Sequence, residues 1–341
     1  MRPRLASSAL LALPALLVLP PACAADDSST SESAASTSSA TTSATASESG
    51  SSSTSTSTST SDASTTLEST TAAETEGTTA DPLACNGHAE LCERPLDQVT
   101  LPATHNSFSA TDDGFAPLVA NHHKGVAAQL EAGVRGFLLD VTLNGDETAL
   151  CHSLCALGST PHAEILATLA DFLDAHPREV IVIIYQDDVE PARIDEDFAD
   201  AGLLDRVWTW DGGPMPTLGA MIDADTRLVI TAEDAGPPPA WYHHAWDVFW
   251  DTPYTYHDPS EFTCAVNRGD PGNPLFLINH WLSTDSDLPS EADAATANAY
   301  DALYARADGC RQETGRQPTL LAIDFWETGD LFAVVDALNG V

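Results

Sequence analysis

VIVIIYQDD, residues Val180–Asp188, is an unbroken run of β-branched and aromatic residues that stops abruptly in Gln186, Asp187 and Asp188. A strand with one wet face alternates apolar and polar residues, whereas a strand covered on both faces reads as continuously apolar. The run therefore predicts a parallel strand buried on both sides, with its polar residues gathered at the C-terminal end.

Working outward, the same pattern recurs. Gln98–Ala103 runs into Thr104, His105 and Asn106; Val134–Val141 holds Asp140 near its end; Thr148–Cys151 leads into His152. Further on come Arg227–Thr231, Asp247–Trp250, Leu275–Ile278 before Asn279 and His280, and Thr319–Ile323 before Asp324. Helical spacing appears between them, in Lys124–Ala132 and in Ala163–Ala175, where Ile165, Leu166, Leu169, Phe172 and Leu173 form one apolar stripe. Eight strands alternating with helices fit an α/β (β/α)₈ barrel of the TIM type, in which strand C-termini converge on the catalytic face. His105, Asp140, His152, Asp187, Asn279 and Asp324 all fall there. Asn279 and His280 are neighbours on one strand, so at most one of them faces the pocket.

The barrel occupies residues 82–341. Residues 1–23 read as a signal peptide, with Arg2 and Arg4 ahead of the apolar run Leu10–Leu19, and they end at Cys23 in a sequence resembling the lipobox of bacterial lipoproteins. Residues 24–81 are almost wholly Ser, Thr, Ala and Glu, a composition that cannot bury enough surface to fold and suits a disordered tether. The protein is thus expected to be exported, secreted or held at the surface of a bacterium by a lipid anchor, and to act as a monomer. Six cysteines remain after Cys23, and in an exported domain the economical pairing is Cys85–Cys92, Cys151–Cys155 and Cys264–Cys310. A zinc site using Cys151, His152 and Cys155 is the rival reading.

The chain has 51 acidic against 13 basic residues, a formal charge of −38, and Lys124 is its only lysine. Such a chain is repelled by nucleic acid and by anionic membranes, so contact with a lipid surface needs a local patch, an anchor or a bound cation.

Seven segments together resemble the phosphatidylinositol-specific phospholipase C superfamily, in its secreted, cysteine-bearing microbial branch of PLC-like phosphodiesterases. They are LPATHNSFS (Leu101–Ser109), QLEAGVRGFLLDV (Gln129–Val141), LCHSLCALGS (Leu150–Ser159), FLDAHPREVIVIIYQDD (Phe172–Asp188), PTLGAMI (Pro216–Ile222), FLINHWL (Phe276–Leu282) and LLAIDFWETGDL (Leu320–Leu331). The resemblance implies an exported phosphoric diester hydrolase acting on a phospholipid or related phosphodiester. His105 would be the base and His152 the acid that protonates the leaving oxygen, since imidazole exchanges protons near neutral pH. Arg135 would bind phosphate or brace the strand ends, and Asp324 would orient His105. Asp140 and Asn106 follow the calcium-dependent members, with Asp187 or Gln186 on the next strand, so Ca2+ is expected ahead of Mg2+. Leu138 departs from that set, standing where those members carry a glutamate. No organic cofactor is implied. Alternatives are a phospholipase D-like, sphingomyelinase-type reaction and a non-catalytic protein that binds a head group or glycan. The aromatic residues Trp241, Tyr242, Trp246, Phe249, Trp250, Tyr254 and Tyr256 read mainly as core, and His122, His123, His243 and His244 as surface or supporting residues.

Overall fold

The computed structural model describes residues 83–152 and 154–341. The signal peptide, Cys23 and the tether lie outside the described residues.

Among the described residues ten strands form one sheet: β1 (Leu101–Thr104), β2 (Gly136–Asn144), β3 (Glu147–Leu150), β4 (Thr160–Pro161), β5 (Ile181–Asp187), β6 (Leu228–Ala232), β7 (His243–His244), β8 (Phe249–Asp251), β9 (Leu275–Asn279) and β10 (Leu320–Ile323). Eight of them are parallel and run β7-β6-β5-β2-β1-β10-β9-β8. This is the chain order of a (β/α)₈ barrel, curled but left open at one seam, because the short edge strands β7 and β8 do not pair with each other. The helices are α1 (Val126–Ala132), α2 (His162–Ala175), α3 (Pro191–Asp200), α4 (Leu218–Asp223), α5 (Ala245–Val248), α6 (Glu291–Ala297), α7 (Tyr300–Thr314) and α8 (Leu331–Asn339).

The strand count was right for a partly wrong reason. Thr148–Cys151, expected as a barrel strand, belongs to β3, which returns antiparallel along β2 through the turn at Gly145 and so stands outside the parallel set. The missing eighth strand is β7, whose two residues are too few to show a period.

The unbroken apolar run of β5 is explained by two separate cores. Ile181, Ile183 and Tyr185 pack outward with Leu166, Leu169 and Phe198 of the helical layer, while Val182 and Ile184 pack inward with Ala103, Val229, Leu277 and Ala322. On β2 the inward positions are Gly136, Leu138 and Asp140. Gly136 has to be small, since a Cβ there would lie 2.6 Å from Ala103 Cβ and 2.7 Å from Leu320 Cδ2.

All three expected disulfides form, Cys85–Cys92, Cys151–Cys155 and Cys264–Cys310, which removes the zinc reading of Cys151 and Cys155.

Candidate active site

A cavity of about 420 Å³ opens at the C-terminal end of the barrel, lined by His105, Asp140, His152, Glu233, Arg268 and Trp281 among others. Parallel register builds its first pair. Thr104 of β1 lies opposite Ile323 of β10, so the next residues, His105 and Asp324, emerge side by side. His105 Nδ1 is 2.9 Å from Asp324 Oδ1. The second carboxylate oxygen accepts from Asn121 Nδ2 at 3.0 Å, and Asn298 donates to the Asp324 carbonyl at 2.8 Å. Trp281 stacks on the His105 ring with centroids 3.8 Å apart and planes 2° from parallel. The imidazole is therefore held in its plane by a carboxylate and on its face by an indole, and with Nδ1 protonated toward Asp324 its Nε2 is a free acceptor.

His152 arrives by a different route. The β2–β3 hairpin carries it back over the rim, where its backbone neighbour Cys151 donates to the Asp140 carbonyl at 3.3 Å. Its ring is well exposed and lies 3.4 Å from Asn106 Nδ2 and 3.9 Å from Asp140 Oδ2. Burial raises the Asp140 carboxyl above the ordinary range, outweighing the pull of His152 and His105. Two imidazoles thus face one cavity, with Asn106 and Asp140 beside His152.

Two expected site residues lie elsewhere. Arg135 precedes β2 and sits at the opposite end of the barrel, bonded to Glu179 at 2.7 Å and to the carbonyls of Leu130 and Val134, beneath the Phe172 ring. It is a structural arginine. Asp187 falls on the outward parity of β5 and is buried there, accepting from the Asp234 N–H at 2.9 Å and from Tyr242 Oη at 3.3 Å, while Gln186 takes the inward position. Among the described residues no group of three or more His, Cys, Asp or Glu is placed to hold a metal ion. With Asp187 turned away and Leu138 beside Asp140, the side chains present do not fit the expected calcium set.

Of the neighbours at the end of β9, Asn279 lines the cavity and His280, the residue after the strand, is buried against the Ala297 carbonyl. Most of the aromatic group is core, but Trp246 and Tyr254 flank Arg268, whose guanidinium carbon lies 4.0 and 4.6 Å from their ring centres. His122 is a supporting residue: it is buried, meets the His105 carbonyl through Nε2 at 2.8 Å, and burial pushes its ring down to about 4.

Sequence reading missed Glu233, Arg268, Asp251, Asn121 and Trp281. Glu233 was findable, because it directly follows β6 just as His105 follows β1. Arg268 Nη1 contacts Glu233 at 2.7 Å and Nη2 contacts Asp251 at 2.6 Å. Burial, and then the crowding of Asp251, Asp140 and Asp234, push Glu233 up to about 7 against the opposing pull of Arg268.

Comparison with known proteins gives the family and the fold. The PI-PLC X 1 family model matches residues 91–339. The chain belongs to the PI-PLC X-domain family. It is 28% identical over 287 residues to PI-PLC X domain-containing protein 1 of Arthroderma benhamiae, covering 77% of this chain and 92% of that one. It is 26% identical to an uncharacterized secreted protein of the same fungus (75% and 64% covered) and 27% identical to a PI-PLC X domain-containing protein of Arabidopsis thaliana (72% and 63% covered). The fold matches the phosphatidylinositol-specific phospholipases C of Staphylococcus aureus (13% identity) and Listeria monocytogenes (15%), each with a TM-score of 0.51 over 73% of this chain and 94% of theirs. These relatives by sequence are fungal and plant, so they lend no support to a bacterial lipoprotein.

Proposed function

We propose that this protein is an exported phosphodiesterase that cleaves a phospholipid by paired-histidine acid–base catalysis. The carrying observation is that His105 and His152, on different elements, face one cavity, with Asp324 fixing the first imidazole. A head-group hydroxyl next to the phosphate gives its proton to His105 Nε2 as its oxygen bonds to phosphorus. The phosphorus–oxygen bond to the lipid breaks, and His152 protonates the departing oxygen. The product is a cyclic phosphodiester, which water opens with the two histidines in exchanged roles.

A lipid substrate is supported by a second cavity of about 220 Å³ that also reaches His152 and is walled by Phe115, Val119, Leu154 and Leu157. Leu154 and Leu157 are exposed there, as is Leu118 on the same segment as Val119, a local apolar patch in an otherwise acidic protein. This placement supports an apolar leaving group beside the acid and peripheral contact with a membrane. Export is supported by the three disulfides.

The test is release of labelled head group from mixed phospholipid micelles by the native chain, His105→Ala and His152→Ala, each with and without chelator. Loss in both variants is expected, with chelator leaving the native rate unchanged. Equal release by all three proteins would overturn catalysis by this pair, and loss with chelator would restore Asn106 and Asp140 as calcium ligands.

A further inference from the structure

The two imidazoles are held to different degrees. His105 has Asp324 Oδ1 at 2.9 Å from its Nδ1 and the Trp281 ring stacked on its face. The His152 side chain is 59% exposed, and its polar neighbours are Asn106 Nδ2 at 3.4 Å and Asp140 Oδ2 at 3.9 Å. Contacts this long do not hold a side chain against its rotamer entropy, so the aim of the His152 ring is set by its backbone.

That backbone is tied covalently. Cys151 and Cys155, four positions apart, are joined by a disulfide, and His152 lies inside the ring of chain that it closes. Cys151 is buried directly after β3, where its N–H donates to the Asp140 carbonyl at 3.3 Å. Cys155 opens the single turn Cys155–Leu157, and the Leu157 carbonyl accepts from the Ala116 N–H at 2.7 Å. Leu154 inside the ring and Leu157 on that turn wall the apolar cavity that reaches His152. One crosslink therefore joins the acid to the wall beside the leaving group. The hairpin has fastenings of its own: β3 pairs with β2 and β4, and Thr148 Oγ1 accepts from Arg193 of α3 at 3.2 Å. Opening the ring frees the segment that carries His152 and leaves β3 in place.

Resting on the phosphodiesterase reading above, we propose that the Cys151–Cys155 disulfide positions the general acid. It fixes His152 relative to the apolar wall, and without it the chain keeps its fold and its base but loses protonation of the leaving oxygen. A misplacement of about 1 Å at a catalytic group costs about 10²-fold in rate. Cys151 and Cys155 are in this sense positioning residues. The Cys85–Cys92 disulfide supplies the control, since it lies at the far end of the barrel, where Asn86 accepts from the Val180 N–H just ahead of β5.

The test is turnover of two diesters by the full chain: phosphatidylinositol in mixed micelles, and 4-nitrophenyl inositol phosphate, whose nitrophenoxide departs without a proton. Cys155→Ala should lower kcat on the lipid about 10²-fold with KM little changed, and on the nitrophenyl diester by less than about threefold. The pair Cys151→Ala and Cys155→Ala together should repeat that split, whereas Cys85→Ala with Cys92→Ala should leave the ratio of the two rates native. Equal losses on both diesters, the same split in the control, or loss of the fold in both ring variants would overturn the proposal. A readout independent of turnover is the nuclear Overhauser contact between the His152 ring and the Asn106 side-chain amide, assigned against His152→Ala. It is expected in the native chain and absent from Cys155→Ala. Its absence from the native chain, or its persistence in the variant, would sink this inference and leave the phosphodiesterase reading standing. Its loss in the variant of a chain that cleaves neither diester would keep the positioning role and overturn that reading.

Discussion

The two ends of the barrel use charge in opposite ways. At the N-terminal end four arginines stand just ahead of strands: Arg135 before β2, Arg178 before β5, Arg227 before β6 and Arg316 before β10. Each bonds carbonyls there, Arg135 that of Leu130, Arg178 that of Ala84, Arg227 those of Leu173 and His176, and Arg316 those of Asn273 and Pro274. Barrel helices run back against the strands, so their C-terminal carbonyls, unbonded within the helix and at the negative end of its dipole, collect at that end. Arg135 and Arg227 meet such carbonyls at the ends of α1 and α2, while Arg178 and Arg316 meet loop carbonyls at the same end. At the C-terminal end acids gather instead, Arg268 is held by two carboxylates, and imidazoles carry the proton chemistry. Positive charge is used for stability at one end and is withheld from the chemistry at the other.

The largest expected effect is at the catalytic end. His152→Ala should lower the rate of head-group release by about 10³-fold while the thermal midpoint stays near that of the native chain, because the ring is mostly exposed. A loss of stability in parallel would remove the contrast between the ends. Asp324→Asn should cost roughly 10²-fold in kcat with KM little changed, as the imidazole loses its orienting carboxylate; a change confined to KM would make Asp324 a binding residue.

The N-terminal end should behave in the opposite sense. Arg135→Ala leaves the mostly buried Glu179 without its partner and is expected to cost about 3 kcal/mol of stability, read from urea unfolding. Its kcat at low temperature should equal the native value. A rate loss in the folded variant would return Arg135 to the site.

Glu233 gives a finer test, through pH. Its carboxyl is pushed up to about 7 when folded and has the ordinary value of 4.5 when unfolded, so the folded state binds the proton more tightly. Its contribution to stability is therefore whole below 4.5 and is lost as pH rises through 7. The stability of Glu233→Gln relative to the native chain should rise across that window, and a flat difference would refute the displacement. Smallest of all, Asp187→Asn should change activity by less than about twofold and lower stability by about 1 kcal/mol, since it alters hydrogen bonds outside the cavity.

How much of this was legible in the sequence differs residue by residue. His105 and Asp324 were readable because each directly follows an apolar run, and parallel register then does the rest. Asp187 was misplaced by a single position: apolar residues fill both faces of β5, so nothing in the run reveals which of Gln186 and Asp187 points inward. Arg135 was read as binding phosphate or bracing the strand ends, and the second holds, since a residue ahead of a strand lies at the far end from one behind it. His152 was found while its element was misread, because a hairpin and a crossover both deliver a residue after a strand. Arg268 left no local signal, since it reaches Asp251 only after a long loop closes and the Trp250–Gly269 bridge forms.

The parallel stack of Trp281 on His105 also makes the proton inventory of the site visible to light. An excited indole is quenched by a protonated imidazole lying face to face with it and much less by a neutral one, so Trp281 emission would follow the loading and unloading of the base during turnover. The ring that steadies His105 is at the same time an optical gauge of its charge, built in without any added label.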